Sequence, residues 1–354
     1  MKTDISRSEP IYSSIKNRVK IVGWLPVLEP IRLPSIYCPD DYNERFKEFS
    51  LGLCDVLPVL EPNIKSVKTT IVKVPNKDVI KNLQNLNKIL FDIRDFKFIK
   101  IETWFEFDKV IFQQLNPTLD DSYFYNHMPH FATSLLPPAL KDALILADLA
   151  FPGRIKCKTG CTYWQRHRMN EISYFHGIYR EALTNEKFKW PSVQTLPYVK
   201  VCQWVKKLGL FDQGIARSPI QRALASFTHL LSPSGSGAEC LFWAMQGLEA
   251  FYCRGNGDLR RQLSEKSRLF LGKWDKMKNI VGSLYDFRSK FVHGSFNLER
   301  WNNDRMNNPE DKKDQDDLYK ATMLAIRFLL GTLQKCAEQD ITDVKFDYSM
   351  IIEK

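Results

Sequence analysis

No stretch of this chain approaches the roughly 18 unbroken apolar residues that a membrane span requires. Its first twenty residues, MKTDISRSEPIYSSIKNRVK, carry no apolar leader core. Both absences predict a soluble, cytoplasmic protein. The chain also lacks a glycine-rich phosphate fingerprint, a nucleophile elbow and any internal repeat, which removes the commonest nucleotide-binding enzymes, serine hydrolases and solenoids from consideration. Paired cysteines are scarce as well. Of the eight cysteines only Cys157 and Cys161, in CKTGC, are close enough to share an ion, with His167 a little further on. Structural zinc normally takes four ligands in two pairs, and the second pair is missing. We therefore read CKTGC as a turn with ordinary thiols and expect neither metal nor cofactor. The other cysteines sit in apolar runs, as reduced buried thiols do.

What is present is length and positive charge. The 354 residues, 44% hydrophobic and 26% charged, can bury a large core. Lysine and arginine total 51 against 41 acids, a net charge of +10 that implies an anionic partner without naming it.

The patterning changes along the chain. In residues 1–195 we expect a mixed α+β region. FKFIKIETWFEFD alternates as a half-buried strand does, SVKTTIVKVP is rich in β-branched residues, and NKDVIKNLQNLNKILFDIRD spaces its apolar residues as an amphipathic helix. Prolines crowd the first 75 residues, so strands there are expected to be short or at edges. A helix is predicted from about Pro138 through LADLA. In YNHMPHF, His127 and His130 have ligand-like spacing, but Pro129 argues against a helix, and they are given no role.

From residue 196 to 345 the pattern is helical, and a mainly α-helical bundle is expected. Ser218, Pro219 and Gln221 make a capping box, Ser236 and Glu239 have the same spacing, Asp258 is placed to cap LRRQLSEKSRLFL, and a long helix should end at Gly294. The polar run at 302–317 reads as a loop.

The candidate chemistry lies in LYDFRSKFVHG. Arg288 and His293 are five residues apart, about 140° around a helix and ~7.5 Å along it, a poor offset for mutual contact. His293 falls in the last turn, however, where the helix unwinds and its carbonyl ends suit a cation. Histidine can move a proton and arginine can clamp phosphate oxygens. Together these abilities suit RNA cleavage by the 2′-hydroxyl, although one histidine is a proton-transfer group short unless two copies pair. Arg222 and His229 match the same loose pattern, but His229 has apolar neighbours and reads as a core or interface histidine. Capping alone also explains a basic residue before a helix-terminal glycine.

LYDFRSKFVHG closely resembles the signature of HEPN domains (higher eukaryotes and prokaryotes nucleotide-binding), especially the Apea-like group. AMQGLEAFY, with Glu249, resembles that family's first core helix. The resemblance covers residues 218–340. It implies a bundle that dimerises so that two R-x4-6-H motifs meet, and a metal-independent endoribonuclease acting on transfer or messenger RNA, often in antiviral defence or toxin systems with a regulatory or phage-derived trigger. By position, Arg288 would contact the scissile phosphate and His293 would handle the proton, with Tyr285, Asp286, Ser289 and Glu249 in support. The family also includes members that bind without cutting, so a non-catalytic interaction or nucleotide-binding scaffold is the alternative. In CTYWQRHRMN, aromatic and basic residues interleave, making Trp164, Arg166 and Arg168 further RNA-binding candidates, against a plain solvated loop or strand.

Overall fold

The computed structural model describes residues 18–28, 42–87, 96–115, 117–118, 120–155, 157, 159–165, 167–172, 190–230, 237–255, 257–272, 277–295 and 309–346. Its N-terminal part is a five-stranded antiparallel sheet in the order β2-β3-β1-β4-β5. The strands are β1 (Arg18–Leu28), β2 (Ile64–Val72), β3 (Phe96–Glu106), β4 (Gly160–Trp164) and β5 (His167–Ile172). Helices α1 (Tyr42–Leu60), α2 (Lys77–Asn87), α3 (Lys109–Leu115) and α4 (Asp121–Ala150) accompany them. The alternation in β3 has the expected consequence. Ile99, Ile101, Thr103 and Phe105 are fully buried on one face, beneath α1 and α4, while the even-numbered residues point to the other.

Three expectations about proline are corrected. β1 is eleven residues long and central, with Pro26 inside it. On one side its ladder with β4 spans Val22–Trp24 and, among the described residues, pairing resumes only as a single bridge from Val27 to Cys157, so Pro26 falls in the gap between them. α4 begins at Asp121, not Pro138, and runs on through Pro129, Pro137 and Pro138. Each proline in a helix interior costs about 3 kcal/mol. Against that, Ala132, Leu136, Leu140 and Leu146 on this helix are completely buried, and each large apolar side chain contributes ~1.5–3 kcal/mol. Tertiary burial outweighs the local defect. His127 and His130 therefore do lie on a helix, where His127 stacks on Tyr123 with ring centroids 3.8 Å apart.

On the same helix, burial lifts the Asp142 carboxyl from 3.8 to about 6, with Lys141 drawing it only partly back. The folded chain thus holds this proton more tightly than the unfolded chain. Its favourable contribution is complete below pH ~4 and is lost as pH rises through 6. Asp142→Asn should remove that loss, so thermal melts of the variant should gain on the wild type between pH 4 and 7. A wild type that gains on the variant over this range would contradict the assignment.

The C-terminal part is mainly helical, as expected: α5 (Tyr198–Leu208), α6 (Leu210–Gln213), α7 (Pro219–His229), α8 (Gly237–Tyr252), α9 (Leu259–Leu271), α10 (Met277–Val292) and α11 (Pro309–Glu338). The capping box at α7 is present. Ser218 Oγ accepts from the Gln221 N–H at 3.2 Å, and Gln221 Oε1 accepts from the Ser218 N–H at 2.9 Å. Ser236 lies outside the described residues. Asp258 does not cap α9. It adopts a left-handed conformation (φ 50°) without a side-chain cap bond, and the turn is held instead by Gln262, whose amide donates to the Arg254 and Gly257 carbonyls. The expected polar loop is also corrected: residues 309–317 form the first turns of α11, while 302–308 lie outside the described residues. Proline at the first position and acids just after it suit a helix N-terminus, a pattern that overall polarity concealed.

α7, α8 and α11 form the centre of this part. At Gly247 on α8 a side chain would meet Leu329 at 2.9 Å and Ser226 at 3.0 Å, so the three helices approach closely only because it is glycine. One buried cluster runs from Val19 through Ala337, joining sheet, α1 and α4 to the helices without a gap. Among the described residues no helix is long and apolar enough to cross a membrane.

Candidate active site

α10 packs against α8, α9 and α11. Arg260 of α9 lays its guanidinium over Gly282, where an added Cβ would meet it at 2.0 Å. This packing turns one face of α10 toward Glu249 of α8. Arg288 Nη2 lies 3.3 Å from Glu249 Oε2, with the two side chains 29% and 12% exposed. Tyr285, one turn earlier, is half-buried on the same face. Its hydroxyl and Glu249 Oε1 are both buried, and neither completes a hydrogen bond among the described residues. Burial first, then the adjacent Glu249 charge, push the Tyr285 phenol well above its ordinary range. Cys253 adjoins them, its thiol pushed up to about 11 chiefly by burial and next by Glu249, so it is protonated at neutral pH.

Asp286, Ser289 and His293 are exposed. At 100° per residue they share a second stripe, turned away from that of Tyr285 and Arg288. The structure therefore brings together Glu249, Tyr285 and Arg288, and leaves Asp286, Ser289 and His293 on the neighbouring open surface. Arg288 turns inward to Glu249 rather than toward the end of α10. Which acid meets this arginine depends on the crossing of two helices 39 residues apart in sequence, which spacing within one segment could not reveal.

The end of α10 is as predicted. Gly294 has φ +69°. The Gly294 N–H donates to the Phe291 carbonyl at 3.3 Å and the Ser295 N–H to the Lys290 carbonyl at 2.9 Å, closing a Schellman turn. His293 is the last residue before that glycine. Its backbone N–H donates to the Ser289 carbonyl at 2.9 Å, and its ring makes no hydrogen bond among the described residues. The backbone is fixed while the imidazole stands in solvent.

The remaining candidates disperse. His229 is exposed and stacked on Trp243, centroids 3.9 Å apart, which overturns the core half of its reading as a core or interface histidine. Arg222 on the same helix is exposed. Trp164 packs against the main core and Arg168 is exposed, whereas Arg166 lies outside the described residues. Cys157 and Cys161 are buried, and burial pushes both thiols up, Cys161 to about 11. No three His, Cys, Asp or Glu side chains among the described residues group closely enough to hold a metal ion. Comparison of the chain with known protein families, with curated proteins and with solved structures finds no match in any of the three.

Proposed function

We propose that this chain is an endoribonuclease of the HEPN type, cutting RNA without a metal when two copies bring their α10 ends together. The carrying observation is the constellation around the end of α10: an arginine held, among the described residues, by one 3.3 Å contact to Glu249 and an exposed histidine at a Schellman-closed terminus. In the reaction the 2′-oxygen forms a bond to the adjacent phosphorus as one His293 takes its proton. The bond from phosphorus to the 5′-oxygen breaks, and His293 of the second copy protonates that oxygen. Arg288, released from Glu249 by the stronger charge of a phosphodiester, steadies the negative charge on the phosphoryl oxygens. The products are a 2′,3′-cyclic phosphate and a 5′-hydroxyl end. Transfer and messenger RNA are the substrate classes that the resemblance implies, in a defence or toxin setting with a regulatory or phage-derived trigger.

A specific observation favours a second reading, a helical interaction or nucleotide-binding scaffold. Arg288 is engaged by Glu249, and an ion pair that ties α8 to α10 is explanation enough for both residues in a protein that cuts nothing. The two readings part in one assay. The purified chain is incubated with total RNA in excess chelator, and the new ends are examined. Cutting that yields 2′,3′-cyclic phosphate is expected. Ends carrying 5′-phosphate would overturn the mechanism, and intact RNA of every class would leave the scaffold.

A further inference from the structure

The sheet has a second face. Trp24, Phe96, Phe98, Cys161 and Tyr163 on this side are covered by Val79 and Leu83 of α2. α2 reaches only one end. At the other, strand register places Lys20 of β1 opposite Trp104 of β3, Arg18 opposite Glu106, and Lys68 of β2 opposite Glu102. Trp104 is half-buried and belongs to neither buried cluster. Lys20 Nζ sits over its ring, 4.9 Å from the centroid, so the π face of this tryptophan looks outward to where a hydrated ammonium can meet it.

The surrounding charge is unbalanced. Lys20 and Lys100 both contact Glu102, at 2.5 and 3.3 Å, and Arg18 pairs with Glu106 at 2.6 Å. With the exposed Lys68, four cations face two carboxylates across three adjacent strands. The contact with Lys20, ahead of that with Lys100, holds the Glu102 carboxyl below its ordinary range, so it stays ionised and keeps both ammoniums at the sheet surface.

We propose that this open end of the outer sheet face binds single-stranded RNA, one unpaired base stacking on Trp104 while Lys20, Lys100 and Lys68 contact the flanking phosphates. A duplex keeps its bases paired and stacked on one another, out of reach of a tryptophan on a sheet, whereas a single strand offers both a base face and a flexible backbone. On binding, Lys20 leaves the ring for a phosphate and the base takes its place. The proposal rests on the reading that RNA is this protein's substrate, and supplies the N-terminal region with a role in gripping it.

The test uses the full chain and a 12-nucleotide RNA with 2′-O-methyl sugars, which cannot be cut by its own 2′-oxygen, followed by fluorescence anisotropy over a salt series. Trp104→Ala should weaken binding about 5- to 150-fold, the worth of one stacked base, and Trp104→Phe should restore much of it. Lys20→Ala with Lys100→Ala should flatten the slope of log K against log salt by about 1.4, the release expected for two phosphates. Lys47→Ala, exposed on α1, should change neither. Wild-type affinity and slope in all three sheet variants would overturn the proposal, and so would a wild type that binds polyglutamate but no RNA, which would mark an acidic protein as the partner. Because the double lysine variant keeps Trp104 in place, it decides the matter even if Trp104→Ala fails to fold. Cutting by wild type with unaltered binding in the variants would sink this surface and leave the α10 site standing, while binding without cutting would do the reverse.

Discussion

Replacing His293 with alanine should lower the rate of RNA cutting about 10²–10⁴-fold, the usual contribution of a positioned proton-transfer group. The fold should be unaffected. The imidazole is exposed and unbonded among the described residues, and the bonds that end α10 come from backbone groups at His293, Gly294 and Ser295, which the substitution keeps. Melting temperature and dimer mass should therefore match those of the wild type while the cutting rate falls. Arg288→Ala should lose a comparable amount, and Arg288→Lys should recover little, because an ammonium lacks the flat fork that grips two phosphoryl oxygens. Glu249→Gln separates holding from chemistry. The amide weakens the pull on Arg288 without removing the side chain, so cutting should persist. If the His293→Ala protein cuts at the wild-type rate, His293 has no part in the reaction.

The sequence made some of this molecule readable and hid the rest for physical reasons. β3 was legible because a strand with one face beneath helices must alternate. The start of α7 and the end of α10 were legible because a capping box and a left-handed glycine are satisfied within a few residues. α4 and β1 were not. Their prolines carry a strong local signal, and it is overridden by apolar contacts from elements far away in the chain, which no local pattern records. In the candidate site, the five-residue offset already implied that Arg288 and His293 point differently, and they do. The acid that receives Arg288 was hidden, since Glu249 reaches it only through the crossing of α8 and α10. The open sheet end was hidden for the same reason. Lys20, Lys68, Lys100 and Trp104 come from three separated segments, and only strand register sets them side by side.

The largest expected change in stability comes from a single glutamine that ties the two parts together. Gln334 of α11 is 2% exposed. Its Nε2 donates to the Leu149 carbonyl at 2.8 Å and to the Gln194 carbonyl at 2.7 Å, and its Oε1 accepts from the Gln194 N–H at 3.0 Å. The Leu149 carbonyl lies in the last turn of α4, where helical carbonyls have no partner within their own helix. One side chain thus satisfies three backbone groups from the α4 terminus and the segment that leads into α5. Gln334→Ala strands the Leu149 carbonyl in the interior and unpairs both backbone groups of the exposed Gln194, where water recovers part of the loss, at up to about 1–3 kcal/mol each. A net loss of about 3 kcal/mol is expected, a large share of the ~5–15 kcal/mol that holds a typical domain. Gln334→Glu should be at least as harmful, because its carboxylate would face two carbonyl oxygens without a proton to share. Urea unfolding followed by tryptophan fluorescence measures both. The midpoint should fall with the slope unchanged, in one transition, because the buried cluster continues from the sheet into the helices. An unfolding free energy that falls by less than about 0.5 kcal/mol, the range of ordinary surface changes, would mean that these bonds do not hold the two parts together.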